Sequence, residues 1–249
     1  MATEADVVKT RFLVISDTHS RPLHYENEAD IAIHCGDLTN ESKLEEYRRM
    51  IRDLGDIRAP LKLVVPGNHD FSLDIPNSQR NLDKARRLYP DSDAERLVAE
   101  YGNPGDARRL FEEARHAGIV LLDEGMHGFD LANGAHLTVY ASPYTPAAGG
   151  VSGFQYRFED GHEFTIERGA DIVVQICSRP LLEPGHGCIA VVISTRVGVP
   201  NWLHGQLVHP RLHHSYQTTS LRRPCLSRIC MISGCCGRVQ LKKRHSREK

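Results

Sequence analysis

Three short apolar runs, each ending abruptly in a polar cluster, constrain this chain more than any other feature. Arg11-Phe-Leu-Val-Ile-Ser16 leads into Asp17-x-His19, and Ile31-Ala-Ile-His34 leads into Gly36-Asp37. Leu61-Lys-Leu-Val-Val65 leads into Pro66-Gly-Asn-His-Asp70. Runs of this length, bounded by turn residues, read as mostly buried strands. Between the second and third, Leu44, Tyr47, Ile51 and Leu54 recur at helical spacing. Ser42 with Glu45 fits a capping box and Gly55 is a stop, so the spacing predicts a helix from Ser42 to Leu54. Strand, helix, strand implies a parallel crossover and an α/β fold. In an open parallel sheet the carboxyl ends of the strands face one crevice, so the three polar clusters can converge there.

Further along, the pattern predicts helices near 81–89, 93–101 and 105–117, the last stopped by Gly118. Strands follow near 119–122, 127–131 and 136–141, with turn signals at Glu124-Gly125 and Asn133-Gly134. A glycine-rich loop at Ala147-Ala-Gly-Gly150 precedes Phe154-Gln-Tyr-Arg-Phe158, and Asp171-Ile-Val-Val174 reads as one more buried strand.

Charge divides the chain. Residues 1–175 hold 19 basic against 30 acidic residues, whereas residues 176–249 hold 12 basic residues against only Glu183 and Glu248. Cysteine usage changes at the same place: Cys35 stands alone before residue 176, and Cys177, Cys188, Cys225, Cys230, Cys235 and Cys236 follow. Such a shift predicts two kinds of sequence, a folded unit over 1–175 and a basic, Cys/His-rich tail over 176–249. The tail's loss of acidic residues and of regular periodicity is what a frame-shifted or intron-derived translation would show. An odd cysteine count argues against a secreted disulfide framework. The acidic start, Met1-Ala-Thr-Glu-Ala-Asp6, has no apolar h-region. No apolar run reaches the ~18–20 residues that span a bilayer. The expected setting is cytoplasmic, without membrane partners.

The clusters also fit together chemically. Aspartate and asparagine supply hard oxygen ligands and histidine supplies imidazole nitrogen, a mixture suited to Mn, Fe or Zn. Two such divalent ions can share a carboxylate and clamp a phosphate during in-line displacement. Taken singly, Asp17 and Asp70 could be turn caps and Asn68 a left-handed turn residue. Turn chemistry does not explain all the clusters together. His34, inside an apolar strand, reads as a packed core residue, and Cys35 as buried and inert.

Asp-x-His, Gly-Asp and Gly-Asn-His-Asp, in that order and each after a strand, resemble the first three motifs of calcineurin-like metallophosphoesterases. The resemblance is closer to a small branch whose members continue like Ala141-Ser-Pro-Tyr-Thr-Pro146 and Phe154-Gln-Tyr156. It covers roughly residues 11–175. It implies a sandwich of two sheets flanked by helices, acting on a phosphate ester, with diesters slightly favoured. Asp17 and His19 would hold one metal, Asp37 would bridge two, and Asn68 would hold the second. His69 would be the general acid and Asp70 would orient it. The nucleophile implied is a water acidified by the metals.

The resemblance fades late in the chain. The family's later motifs carry further histidine ligands, including a Gly-His-x-His pair that does not occur here. Cys177 stands where a Thr-His pair is expected, and His186, His204, His209, His213, His214 and His245 are scattered through the tail. Cys225, Cys230, Cys235 and Cys236 lack the C-x₂-C spacing of a zinc module. The basic end Lys242–Arg247 reads as a solvated run, which disfavours a nucleic-acid partner. On ligand count, the alternative is a family member that binds metal or a partner without turnover.

Overall fold

The computed structural model describes residues 7–88, 93–147, 152–157, 159–167, 169–177, 188–193 and 235–243. Strands β1 (Val7–Ile15), β2 (Ile31–Cys35), β3 (Leu61–Val65) and β4 (Ile119–Leu121) pair in parallel, in that order. Alternate residues of β1 and β2 point to opposite faces, and both faces are buried. Hence these strands read as continuous apolar runs rather than alternating ones. Helix α1 (Leu44–Asp56) makes the β2-to-β3 crossover. Helices α2 (Ile75–Leu88), α3 (Asp93–Tyr101) and α4 (Asp106–Glu113) fill the long connection to β4.

A second sheet takes β5 (Gly125–Asp130), β6 (His136–Ser142) and β9 (Ile172–Cys177). The strands β7 (Thr145–Pro146) and β8 (Gln155–Tyr156) form a small separate pair. Between the two main sheets Phe12, Val14, Ile31, Ile33, Leu63 and Val65 meet Leu137, Val139, Ala141, Ile172 and Val174. On the other face of the first sheet, Leu13, Ile15, Ala32 and Val64 pack on Tyr47, Met50 and Leu54 of α1 and on Phe111 of α4. Each of these large side chains contributes about 1.5–3 kcal/mol by leaving water. The chain is thus an α/β sandwich of two sheets, with these helices against the outer face of the first.

Helix α1 starts two residues later than its sequence pattern suggests. The carboxylate of Glu46, not Glu45, accepts the N–H groups of Lys43 (2.9 Å), Glu41 (3.0 Å) and Asn40 (3.0 Å). Ser42 is diverted inward, where its hydroxyl oxygen meets the Tyr47 hydroxyl at 2.6 Å and accepts the Ser72 N–H at 2.8 Å. Helix α4 is shorter than expected, because Ala114–Ala117 tighten into a 3-10 turn before Gly118.

Two strands lie in the stretch beyond residue 176, where the sequence shows no regular periodicity. Strand β10 (Cys188–Ile193) pairs antiparallel with β9, and β11 (Cys235–Lys242) pairs antiparallel with β1 along its whole length. Each covers a sheet edge that would otherwise present unpaired backbone groups. Two local signals coincide with these strands despite the composition shift: the apolar run Cys188–Ile193 and the alternation Arg238-Val-Gln-Leu-Lys242. His186, His204, His209, His213, His214 and His245, like Cys225 and Cys230, lie outside the described residues.

Gly118 ends the 3-10 turn with φ 74°, and a Cβ there would collide with the Pro60 carbonyl at the start of β3. The left-handed backbone alone costs a non-glycine residue about 1–3 kcal/mol. Gly118→Ala is therefore expected to destabilise the fold by at least that amount, read as a lowered urea midpoint with unchanged m-value.

Candidate metal centre

The site is built where β1, β2 and β3 end. Beyond β1 the chain continues alongside the residues after β2: Asp17 N–H donates to the Gly36 carbonyl (3.1 Å), His19 N–H to Asp37 (3.0 Å) and Ser20 N–H to Leu38 (2.8 Å). Keeping that register bends the backbone into the left-handed region at Asp17 (φ 49°), His19 (φ 44°), Ser20 (φ 60°) and Asp37 (φ 52°). Four non-glycine residues in this region cost strain that the surrounding hydrogen bonds must hold, a pattern concentrated at functional sites.

The third loop is drawn in by Asp70, which is fully buried. Its Oδ2 accepts the N–H of Gly67 (2.8 Å) and of Leu38 (3.1 Å). Its Oδ1 accepts the N–H (3.0 Å) and hydroxyl (2.8 Å) of Thr39. Burial, first, and the nearby Asp37 push its pKa up to about 7, while the bonds from Gly67 N–H, the Thr39 hydroxyl and Leu38 N–H pull the other way. Gly67 must be glycine for a steric reason, since a Cβ there would collide with Asp37.

Within this frame His19, Asp37 and His69 each offer a ligand atom, and the three atoms lie within 4.8 Å of one another. Asp37 is buried, and its Oδ1 accepts the His69 N–H at 3.0 Å. The imidazoles meet edge to face with centroids 4.7 Å apart. Nδ1 of His19 lies 3.3 Å from the Thr39 carbonyl, and Nδ1 of His69 lies 3.1 Å from the Asn40 carbonyl. A carbonyl only accepts, so each Nδ1 carries the proton and each Nε2 keeps its lone pair. A backbone carbonyl fixing the far nitrogen of an imidazole is the usual support for a metal-ligating histidine.

The other expected residues lie on the same three loops. Asp17 lies close enough to interact electrostatically with Asp37, His19 and His69, and it accepts the Ser16 hydroxyl. Burial, first, raises its pKa; the Ser16 hydroxyl draws it back and Asp37 adds to the rise. Asn68 sits between Gly67 and His69, its carbonyl accepting the Gly153 N–H at 2.9 Å. Asp70 differs from expectation, because both its oxygens are committed to the loops after β2 and β3, and the Asn40 carbonyl holds His69 instead. His34 is buried, its pKa pushed down to about 3 by burial and then by His19. Its Nε2 meets the Thr18 hydroxyl at 3.0 Å, so it supports the Asp17–His19 loop from below. The sequence pattern did not single out Thr39 or Glu46; Glu46 also accepts the Ser20 hydroxyl at 2.6 Å. Neither residue type marks a site, and only the folded loops bring them into use.

The donor set fits a divalent cation. Two imidazole nitrogens and a carboxylate converge, and positive charge between them would offset the burial and repulsion that raise Asp17 and Asp70. A candidate metal-ligand cluster on the loops at the carboxyl ends of a parallel sheet, backed by a second sheet, defines an α/β class with a candidate metal centre.

Comparison with known proteins narrows this class. Residues 10–128 match the calcineurin-like phosphoesterase family, hydrolases acting on phosphate esters. Metallophosphoesterase domain-containing protein 1 of Homo sapiens is 37% identical over 67 residues, 26% of this chain and 20% of that protein. A UPF0046 protein of Caenorhabditis elegans is 36% identical over 70 residues, 26% of this chain and 25% of that protein. A protein named probable rhamnogalacturonate lyase C, of Emericella nidulans, is 29% identical over 165 residues, 66% of this chain and 13% of that protein. The chain thus matches a quarter or less of the length of these curated relatives. Among the described residues no helix is long and apolar enough to cross a membrane.

Asp70→Asn tests the buried frame. An amide offers one acceptor oxygen and turns its NH₂ on two backbone donors, each left unsatisfied at about 1–3 kcal/mol. The variant is expected to unfold at clearly lower denaturant; an unchanged midpoint would mean that the carboxylate does not hold the loops.

Proposed function

We propose that this chain hydrolyses phosphate esters with the help of divalent metal, phosphodiesters being the favoured substrates. The observation that carries the reading is the convergence of His19, Asp37 and His69, with both imidazoles fixed through Nδ1 to carbonyls of one loop. We assign Asp17, His19, Asp37 and Asn68 to two ions of Mn, Fe or Zn, with Asp37 shared between them. When bound, the metal supplies Lewis-acid polarisation of the phosphoryl oxygens and a water acidic enough to ionise near neutral pH. Residues 1–175 form the working unit, and the setting is cytoplasmic.

The residues have separable tasks. Asp37 supplies negative charge at the centre and fixes the His69 backbone through its Oδ1. His69, anchored at Nδ1, is assigned the general-acid role in place of a ligand role: with the ring protonated at Nε2, it would hand that proton to a departing oxygen. Asp70 keeps the loops in register without entering the chemistry.

Metal analysis and turnover of a chromogenic phosphodiester test this together. Asp37→Ala is expected to lose bound metal and turnover in parallel, and unchanged metal content would refute the assignment. Turnover absent from a metal-loaded wild-type chain would select a metal-binding, non-hydrolytic protein instead.

His69→Ala is expected to slow esters with poor leaving groups by ~10²–10⁴-fold and activated esters much less, because only the former need a proton on the leaving oxygen. Equal slowing of both would assign His69 to binding.

A further inference from the structure

The outer face of the second sheet carries a cluster that the metal centre does not use. His162 stacks against Tyr144 (centroids 4.6 Å apart, planes at 26°) and against Tyr156 (5.2 Å, 25°), and Phe164 meets it edge to face at 4.7 Å. Its Nε2 lies 2.7 Å from Oε1 of Glu124. The same oxygen accepts the hydroxyls of Ser142 (2.7 Å) and Tyr140 (3.3 Å), both on β6. One side of the imidazole is therefore tied to the sheet, and its faces are covered by rings. The His162 and Glu124 side chains are only 19% and 24% exposed, which shields the pair from much of the solvent.

The cluster continues toward the metal centre. Tyr144 meets Phe154 edge to face at 6.0 Å, and Thr145 N–H donates to the Phe154 carbonyl at 2.9 Å. Phe154 N–H donates to Asp74 Oδ2 at 2.8 Å, and Gly153 N–H donates to the Asn68 carbonyl at 2.9 Å. A Cβ on Gly153 would stand 2.7 Å from the Phe71 Cα, so this segment lies directly on the chain that leaves the Gly67–Asp70 motif. Asn68 is thus gripped from the second sheet, while Asp37 and His69 are gripped from the first.

We propose that His162 is a positioning residue of the metal centre, holding Tyr144 and Phe154 so that Gly153 fixes the backbone of Asn68. The proposal rests on the reading of Asn68 as a metal ligand. A ring that stacks and also accepts or donates at its edge suits this place. It couples a sheet-bound carboxylate to an aromatic layer, which neither an aliphatic nor a purely polar side chain can do. Groups that orient metal ligands typically change affinity 10–100-fold when removed.

Hydrogen exchange of the Gly153 and Phe154 amides in the metal-free full chain tests the clamp by itself, and manganese titration tests its link to the metal centre. His162→Ala is expected to speed exchange at both amides by about tenfold or more and to weaken manganese binding by ~10–100-fold. His162→Phe keeps the ring stack but loses the bond to Glu124, and is expected to fall between the wild type and His162→Ala in both measurements. Unchanged exchange in His162→Ala, or equal loosening in His162→Phe, overturns the clamp. Faster exchange with unaltered manganese affinity overturns the role in the metal centre. A wild-type chain that binds no manganese while His162→Ala still speeds exchange points to failure of the metal reading, and not of the clamp.

Discussion

One fully buried carboxylate organises the working end of this protein. Asp70 collects four donors from Gly67, Leu38 and Thr39, so the loops after β2 and β3 cannot move independently. Leu38 and Thr39 in turn accept from the loop after β1, through the Ser20 N–H and the Thr18 hydroxyl to Leu38 and through His19 Nδ1 to Thr39. Burying such a group is costly unless its lone pairs are met, and here they are met by three backbone N–H groups and the Thr39 hydroxyl. The left-handed residues Asp17, His19, Ser20 and Asp37 are tolerated because this network over-determines them.

The network explains how three short loops present convergent ligands. Each imidazole is held at Nδ1 by a carbonyl from 39–40, so both rings depend on the loop that Asp70 fixes. Glu46 braces the same loop from α1, accepting the N–H of Asn40 and the hydroxyl of Ser20. Burial would raise its pKa, but these donors outweigh it and hold the carboxyl below its ordinary range. Packing of α1 through Tyr47, Met50 and Leu54 therefore sets the position of this loop, whose own Leu38 is buried in the same core.

The second sheet does more than close the core. Its strand β6 buries Leu137, Val139 and Ala141 inward and turns Tyr140 and Ser142 outward toward Glu124. The segment after β6 then folds back on the motif after β3, through Gly153 and Asn68. The match to the calcineurin-like phosphoesterase family spans residues 10–128, so Gly153 in this contact lies outside the matched stretch and Asn68 within it.

Sequence alone determined the parallel strand–helix–strand front of the fold and the residue types gathered at the strand ends. Apolar runs buried on both faces and a helical stripe leave little choice of local structure. Glycines at 36, 67 and 118 were legible as turns, though the collision that requires Gly67 depends on Asp37, far away in the chain. Only the tertiary structure decided the partners of Asp70. A buried carboxylate next to a histidine looks like its orienting group until the backbone donors of another loop are seen to claim both oxygens. It also decided that segments beyond residue 176 pair with β9 and β1; the β1–β11 pairing joins residues more than two hundred positions apart, which no local pattern can report. Local periodicity reports which face of an element is buried; which loop meets which is settled by the order of strands in the sheet, and that order exists only in the fold.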